Sequence, residues 1–110
     1  MWEYCVSRWI SIALRASRLG YNMHGHDIEV ELCIVSDEVV DVEWVARVLE
    51  GALEDLDYKP LHEALPGDPL IEDLLELVYK RVSTGGLTVQ SLSARLPRGR
   101  VIRLRPLHRG

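Results

Sequence analysis

The chain has 110 residues, 47% hydrophobic and 27% charged, enough for one layered core and one domain spanning 1–110, and too ordinary a balance for a disordered protein. No apolar run is long enough to span a bilayer and Met1-Trp2-Glu3 opens no signal peptide, so a cytoplasmic protein with no membrane partner is expected. The formal charge of −4 is uneven: no Asp or Glu follows Glu76, while Lys80, Arg81, Arg95, Arg98, Arg100, Arg103, Arg105 and Arg109 all lie beyond it. This basic third either pairs with the acidic middle, within the chain or across a subunit contact, or offers a polyanion-binding surface. Nucleic acid is not the expected partner, because no aromatic residues interleave with the arginines to stack on bases. Asn22 and Gln90 are the sole side-chain amides, a scarcity that fits a thermophile.

In chain order, Trp2 to Ala16 alternates as a long strand, with Tyr4, Val6, Ile10, Ile12 and Leu14 on one parity and Glu3, Ser7, Ser11 and Arg15 on the other. Gly20-Tyr21-Asn22 is a turn. A second strand then carries His24, His26, Ile28, Val30, Leu32 and Ile34 on one face and Asp27, Glu29 and Glu31 on the other. Asp41 caps a helix whose apolar stripe is Val42, Val45, Leu49, Ala52, Leu53 and Leu56. After a Pro-bounded loop over Tyr58–Gly67, Asp68 at the N-cap and Pro69 at the first position start a second helix with Leu70, Ile71, Leu74, Leu75 and Val78 inward. Leu87–Ala94 and Val101–Arg105 read as two more strands around a Pro97–Gly99 turn. The pattern predicts an α+β fold, ββααββ, with an antiparallel four-stranded sheet and two helices on one face. Cys5 and Cys33 fall in the strand-like stretches without metal-type spacing and read as small buried side chains.

The residues with the most chemistry are His24 and His26. An H-x-H pair on a strand projects both imidazoles from one face, and two imidazoles are two of the three protein ligands of an open zinc site. A histidine entering a sheet is also commonly a packed, hydrogen-bonded residue. On spacing alone both readings stand.

Ala16-Ser17-Arg18-Leu19 followed by His24-Gly25-His26 resembles the signature of the 6-pyruvoyl- and 6-carboxy-tetrahydropterin synthases, in which Ala-His-Arg-Leu precedes a cysteine-bearing loop and His-Gly-His. The likeness continues through Val40-Asp41-Val42, Leu56-Asp57-Tyr58-Lys59-Pro60-Leu61-His62, Gly67-Asp68-Pro69-Leu70-Ile71-Glu72 and Arg95-Leu96-Pro97-Arg98-Gly99. The resemblance implies the tunnelling fold, a homo-oligomer (a trimer or hexamer) joined through sheet edges, zinc on His24 and His26, a pterin-like small molecule, and Asp57 in a proton relay. Such proteins serve tetrahydrobiopterin or queuosine pathways as lyase-type enzymes.

Four parts of that machinery are altered here. The third zinc ligand is Ser17, a poor ligand at neutral pH, so zinc binding is expected to be weak unless His62 or Tyr58 reaches in. The loop Gly20–Met23 is short and has no cysteine. The relay histidine is replaced by Tyr58, a poor base at neutral pH, with His62 as a stand-in four residues on. The carboxylate that anchors the pterin is replaced by Arg95, which accepts no hydrogen bond. Glu72 is retained as the resemblance's substrate-binding residue, although a glutamate in a helix's first turn is favourable without any function. The reading is a divergent synthase-like protein in which the family reaction is lost or altered. The other class of function it leaves open is a non-catalytic oligomeric module that binds a partner protein or polyanion through its Arg-rich end.

Overall fold

The computed structural model describes residues 1–15 and 23–107. The turn at Gly20-Tyr21-Asn22, Ser17 and Arg109 lie outside the described residues. The elements are β1 (Trp2–Arg15), β2 (Met23–Ser36), α1 (Val42–Leu53), β3 (Lys59–Pro60), α2 (Leu61–Ala64), α3 (Ile71–Thr84), β4 (Val89–Leu96) and β5 (Arg100–Leu104). They form one five-stranded sheet in the order β3-β1-β2-β4-β5.

The long hairpin forms as the alternation predicts. β1 and β2 pair antiparallel with an unbroken register from Trp2↔Ser36 to Arg15↔Met23. One parity, Ile10, Ile12, Leu14, Ile28, Val30, Leu32 and Ile34, is buried in a single cluster with Val45, Leu49 and Leu53 of α1 and Ile71, Leu74, Leu75, Val78 and Val82 of α3. The long helices therefore share one face of the sheet, α1 against β1 and α3 against β4 and β5. The other face is free of helices among the described residues and carries Trp9, Asp27, Glu29, Glu31, Arg95 and Arg103, of which Trp9 is 61% exposed.

The sheet is mixed and five-stranded, not antiparallel and four-stranded. Lys59–Pro60 adds a short strand parallel to β1, with Ile12↔Lys59 and Ala13↔Pro60. Two residues with a proline carry no periodicity, and the proline is tolerated because the strand lies at the sheet edge. The Tyr58–Gly67 stretch is accordingly not a plain loop, since it holds β3 and the short helix α2.

Asp41 caps α1 as expected, its carboxylate accepting from the Glu43 N–H at 2.9 Å. The start of the second long helix differs. Asp68 is taken up by Arg15, whose Nε lies 3.0 Å from Oδ1, so the helix begins later, at Ile71, where Asp73 reaches back to the Leu70 N–H at 2.7 Å. Between the helices, Arg81 grips Asp55 at 2.6 Å and 3.1 Å and also donates to the Ala52 carbonyl. That hydrogen bond holds the Asp55 carboxyl below its ordinary value of 3.8. The contact stabilises the fold above about pH 4 and is lost as the pH falls through the lowered value.

Cys5 and Cys33 are not separate buried thiols. Each stands opposite the other in the β1–β2 ladder, and they form a disulfide with Cα atoms 4.1 Å apart.

Candidate functional site

The predicted relay residues gather at one edge of the sheet, where the chain returns from α1 to β3. The Asp57 Oδ1 accepts the backbone N–H of Ser11 at 2.8 Å, and Oδ2 lies 3.8 Å from the Arg8 guanidinium. The next N–H, that of Tyr58, donates to the Ser11 carbonyl at 2.7 Å. Ser11 thus has both main-chain groups satisfied from the 57–58 corner, and this pairing seeds β3. Tyr58 makes the corner in the left-handed region, φ 61°, and the residue is 82% exposed. A non-glycine residue holds that conformation only where its surroundings fix it; here the two bonds to Ser11 do so.

Beside the corner is a cleft of about 320 Å³ lined by Trp9, Ile10, Ser11, Asp27, Asp57 and Tyr58. Ser11 Oγ donates to Asp27 Oδ1 at 2.5 Å. The cleft therefore presents two aromatic surfaces and two carboxylates, one of which, Asp57, is already engaged by the fold. Trp9 and Asp27 belong to it although sequence reading singled out neither. Both sit on the polar parity of their strands, where the readable signal was an unexplained exposed tryptophan.

The remaining candidates fall around this edge without closing on it. His26 is half-buried on the helix-covered face opposite Ile12, one strand away from β3. The backbone of His24 pairs with Leu14, while its side chain lies outside the described residues. His62 is half-buried on α2, and its Nδ1 is buried without a hydrogen-bond partner. Glu72 is exposed in the first turn of α3. Arg95 is on the helix-free face, its Nε 3.7 Å from Glu29 Oε1, and the Glu29 carboxylate also receives Ser7 Oγ at 3.3 Å.

On the resemblance, the third imidazole of a three-histidine zinc site falls at Ser17, which with the side chain of His24 lies outside the described residues. Among the described residues no group of three ligand-type side chains includes His26. The one such group is Glu3, Cys5 and Cys33.

Asp57 reads as a structural carboxylate. Replacing it with alanine should cost about 1–3 kcal/mol by leaving the Ser11 N–H unsatisfied, and Asp57→Asn, which keeps an acceptor oxygen, should recover part of the loss. Urea unfolding of the two variants checks this.

No helix among the described residues is long and apolar enough to cross a membrane. No protein-family model and no curated protein sequence matches the chain. The fold does match solved structures. One of them, a 6-pyruvoyl tetrahydropterin synthase from Caenorhabditis elegans, superposes with a TM-score of 0.71 over 97% of this chain and 98% of that one, at 12% identity. The polypeptide thus has the fold of a tetrahydropterin synthase, over essentially the whole of both chains.

Proposed function

We propose that this chain is a tetrahydropterin-synthase-like scaffold protein that assembles edge to edge into a closed ring and does not carry out the synthase reaction. The observation that carries the catalytic half is the fate of the cysteines. The chain has two, and they are bonded to each other on β1 and β2. Cys5 lies six residues along β1 from Ser11, and so about 20 Å from the Asp57 corner. Within one subunit, even a free thiol there could not share a proton with Asp57 or Tyr58. With the thiol displaced, the base replaced by an exposed phenol and Asp57 engaged by Ser11 and Arg8, each of the three relay positions that the resemblance implies is altered or occupied.

Two open edges support the assembly half. Among the described residues, β1 from Trp2 to Ile10 pairs only with β2, and β5 only with β4. Strand edges of this length in a small sheet invite pairing. Their surroundings are also complementary. α1, carrying Glu43 and Glu50, packs beside the β1 edge on the helix-covered face, and Arg100, exposed at the start of β5, shares the parity of the half-buried Ile102 and Leu104. A β5-to-β1 contact is head-to-tail, and such contacts close into rings when the rotation permits. The resemblance to tetrahydropterin synthases favours a trimer or a hexamer made of two trimers.

The catalytic half is tested by supplying dihydroneopterin triphosphate with added zinc. The expected result is neither a pterin product nor released triphosphate above the zinc-only control. Since general acid–base groups each typically contribute about a hundredfold to ten-thousandfold, the absence of several leaves a background rate. Turnover that His24→Ala or Asp57→Ala abolishes would show a rebuilt active site.

A further inference from the structure

The helix-free face holds a second cluster of ligand-type side chains, remote from Asp57. Glu3 precedes Cys5 by two residues and shares its face, with Oε1 3.7 Å from Cys5 Sγ. The Glu3 carboxylate oxygen and the two sulfurs of Cys5 and Cys33 all lie within 4.8 Å of one another. We propose that the Cys5–Cys33 disulfide is the oxidised form of a metal site: once a dithiol reduces it, Cys5, Cys33 and Glu3 together hold one thiophilic divalent cation, of which zinc is the prime candidate.

The reduction balances in two exchanges. A thiolate of the dithiol bonds to Cys5 Sγ, the Cys5–Cys33 bond breaks, and Cys33 leaves as a thiolate. The second thiol of the reductant then attacks the mixed disulfide, frees Cys5 and closes the reductant into its own disulfide, so two electrons have passed to the protein. The cation binds the two sulfurs as thiolates and displaces any protons they have taken up.

Three features of the fold favour this. Access is open, since Cys5 and Glu3 are exposed on a face that no helix among the described residues covers, and the first sulfur attacked is the reachable one. The donors stay in place without the bridge, because the β1–β2 register runs unbroken on both sides of Cys5↔Cys33. The charges call for a cation, because two thiolates and a carboxylate within 4.8 Å repel one another and a dication offsets that repulsion. Thiolate donors select zinc and its heavier congeners over magnesium or calcium, and three protein ligands leave one coordination position to water. The site uses neither His24 nor His26 and does not depend on the proposed loss of synthase activity.

The test uses the full chain, reduced with a dithiol, desalted without oxygen and titrated with cadmium(II) and separately with zinc(II), while circular dichroism follows the fold. The expected result is one ion per reduced chain at this site, with a thiolate-to-cadmium charge-transfer band in the ultraviolet, and no such band in the oxidised chain. Cys5→Ser should abolish the band, Glu3→Gln, an exposed change that cannot disturb the core, should weaken binding by about tenfold, and His24→Ala with His26→Ala should leave the band unchanged. The proposal is overturned if reduced, folded protein gives no band with cadmium in excess, if Cys5→Ser retains it, or if the reduced chain unfolds and cadmium does not refold it.

Discussion

Replacing Cys5 with serine, or reducing the chain in the absence of metal, is expected to lower folding stability by about 3–4 kcal/mol. The bridge joins residues separated by 28 in sequence, and the chain-entropy model for a loop of that length gives this range by restricting the unfolded ensemble. The native ladder is not what the bridge protects, since β1 and β2 are paired along their whole length without it. Cys5 is the position to change because it is exposed and serine there leaves no cavity, whereas Cys33 is only 7% exposed. The loss is a large share of the roughly 5–15 kcal/mol that a domain of this size commands, so the melting temperature should fall by on the order of 10–20 °C. Thermal and urea unfolding of the oxidised protein, the reduced protein and Cys5→Ser check it. The last two should agree with each other and differ from the first. Equal stability in all three would mean that the cross-link does not form in solution.

That disulfide was legible in part. All β1–β2 partners are placed symmetrically about Leu19 in the sequence, and Cys5 and Cys33 are equidistant from it. A hairpin with its turn at Gly20-Tyr21-Asn22 pairs residues whose numbers sum to 42 and sets Cys5 opposite Asp37, whereas the ladder pairs residues that sum to 38, so the sequence put the two cysteines on one face without making them partners. Metal-type spacing along the chain was the wrong measure, because strand register and not sequence separation brings them together. The strands themselves were readable because one buried face imposes a period of two on fourteen residues of β1 and fourteen of β2. β3 was not readable. It exists because Asp57 and the Tyr58 N–H satisfy Ser11, a long-range pairing that leaves no local pattern in Lys59-Pro60.

The candidate site was legible to a lesser degree. The stretch from Asp57 to His62 does return to β1, so the residues that the resemblance pointed to share one edge with Trp9 and Asp27. What the sequence could not show is that the Asp57 carboxylate is consumed by a main-chain N–H. A motif reports which residue types stand at which spacing, whereas the hydrogen-bond partner that decides whether a carboxylate is free comes from a strand forty-six residues away. The Asp68-Pro69 start failed for the same reason: Arg15, distant in sequence, claims the carboxylate that would have capped the helix.

Proline at either open edge should take the proposed ring apart without unfolding the subunit. The Ser11 N–H and C=O point away from β2, toward Asp57 and Tyr58. Main-chain groups alternate sides along a strand, so those of Ser7 point the same way, into the unpaired edge. Carrying the alternation across β2 and β4 with the observed register turns the Val101 N–H to the opposite open edge. Proline is tolerated where a strand N–H faces solvent, so Ser7→Pro and Val101→Pro should each keep the monomer's circular dichroism. Each removes one donor from the intersubunit ladder and leaves its acceptor unsatisfied, a loss of about 2–4 kcal/mol per contact, or roughly thirtyfold to a thousandfold in affinity. Sedimentation should show a ring for the parent chain and monomers for each variant alone. Mixing the two variants separates head-to-tail pairing from every symmetric alternative. Ser7→Pro still has an intact β5 edge and Val101→Pro an intact β1 edge, so together they should form a one-to-one dimer and nothing larger. If Val101→Pro dimerised alone, the contact would be β1 to β1. If the parent chain were itself a monomer at micromolar concentration, the edges would be blunted by some other means and the ring would be wrong.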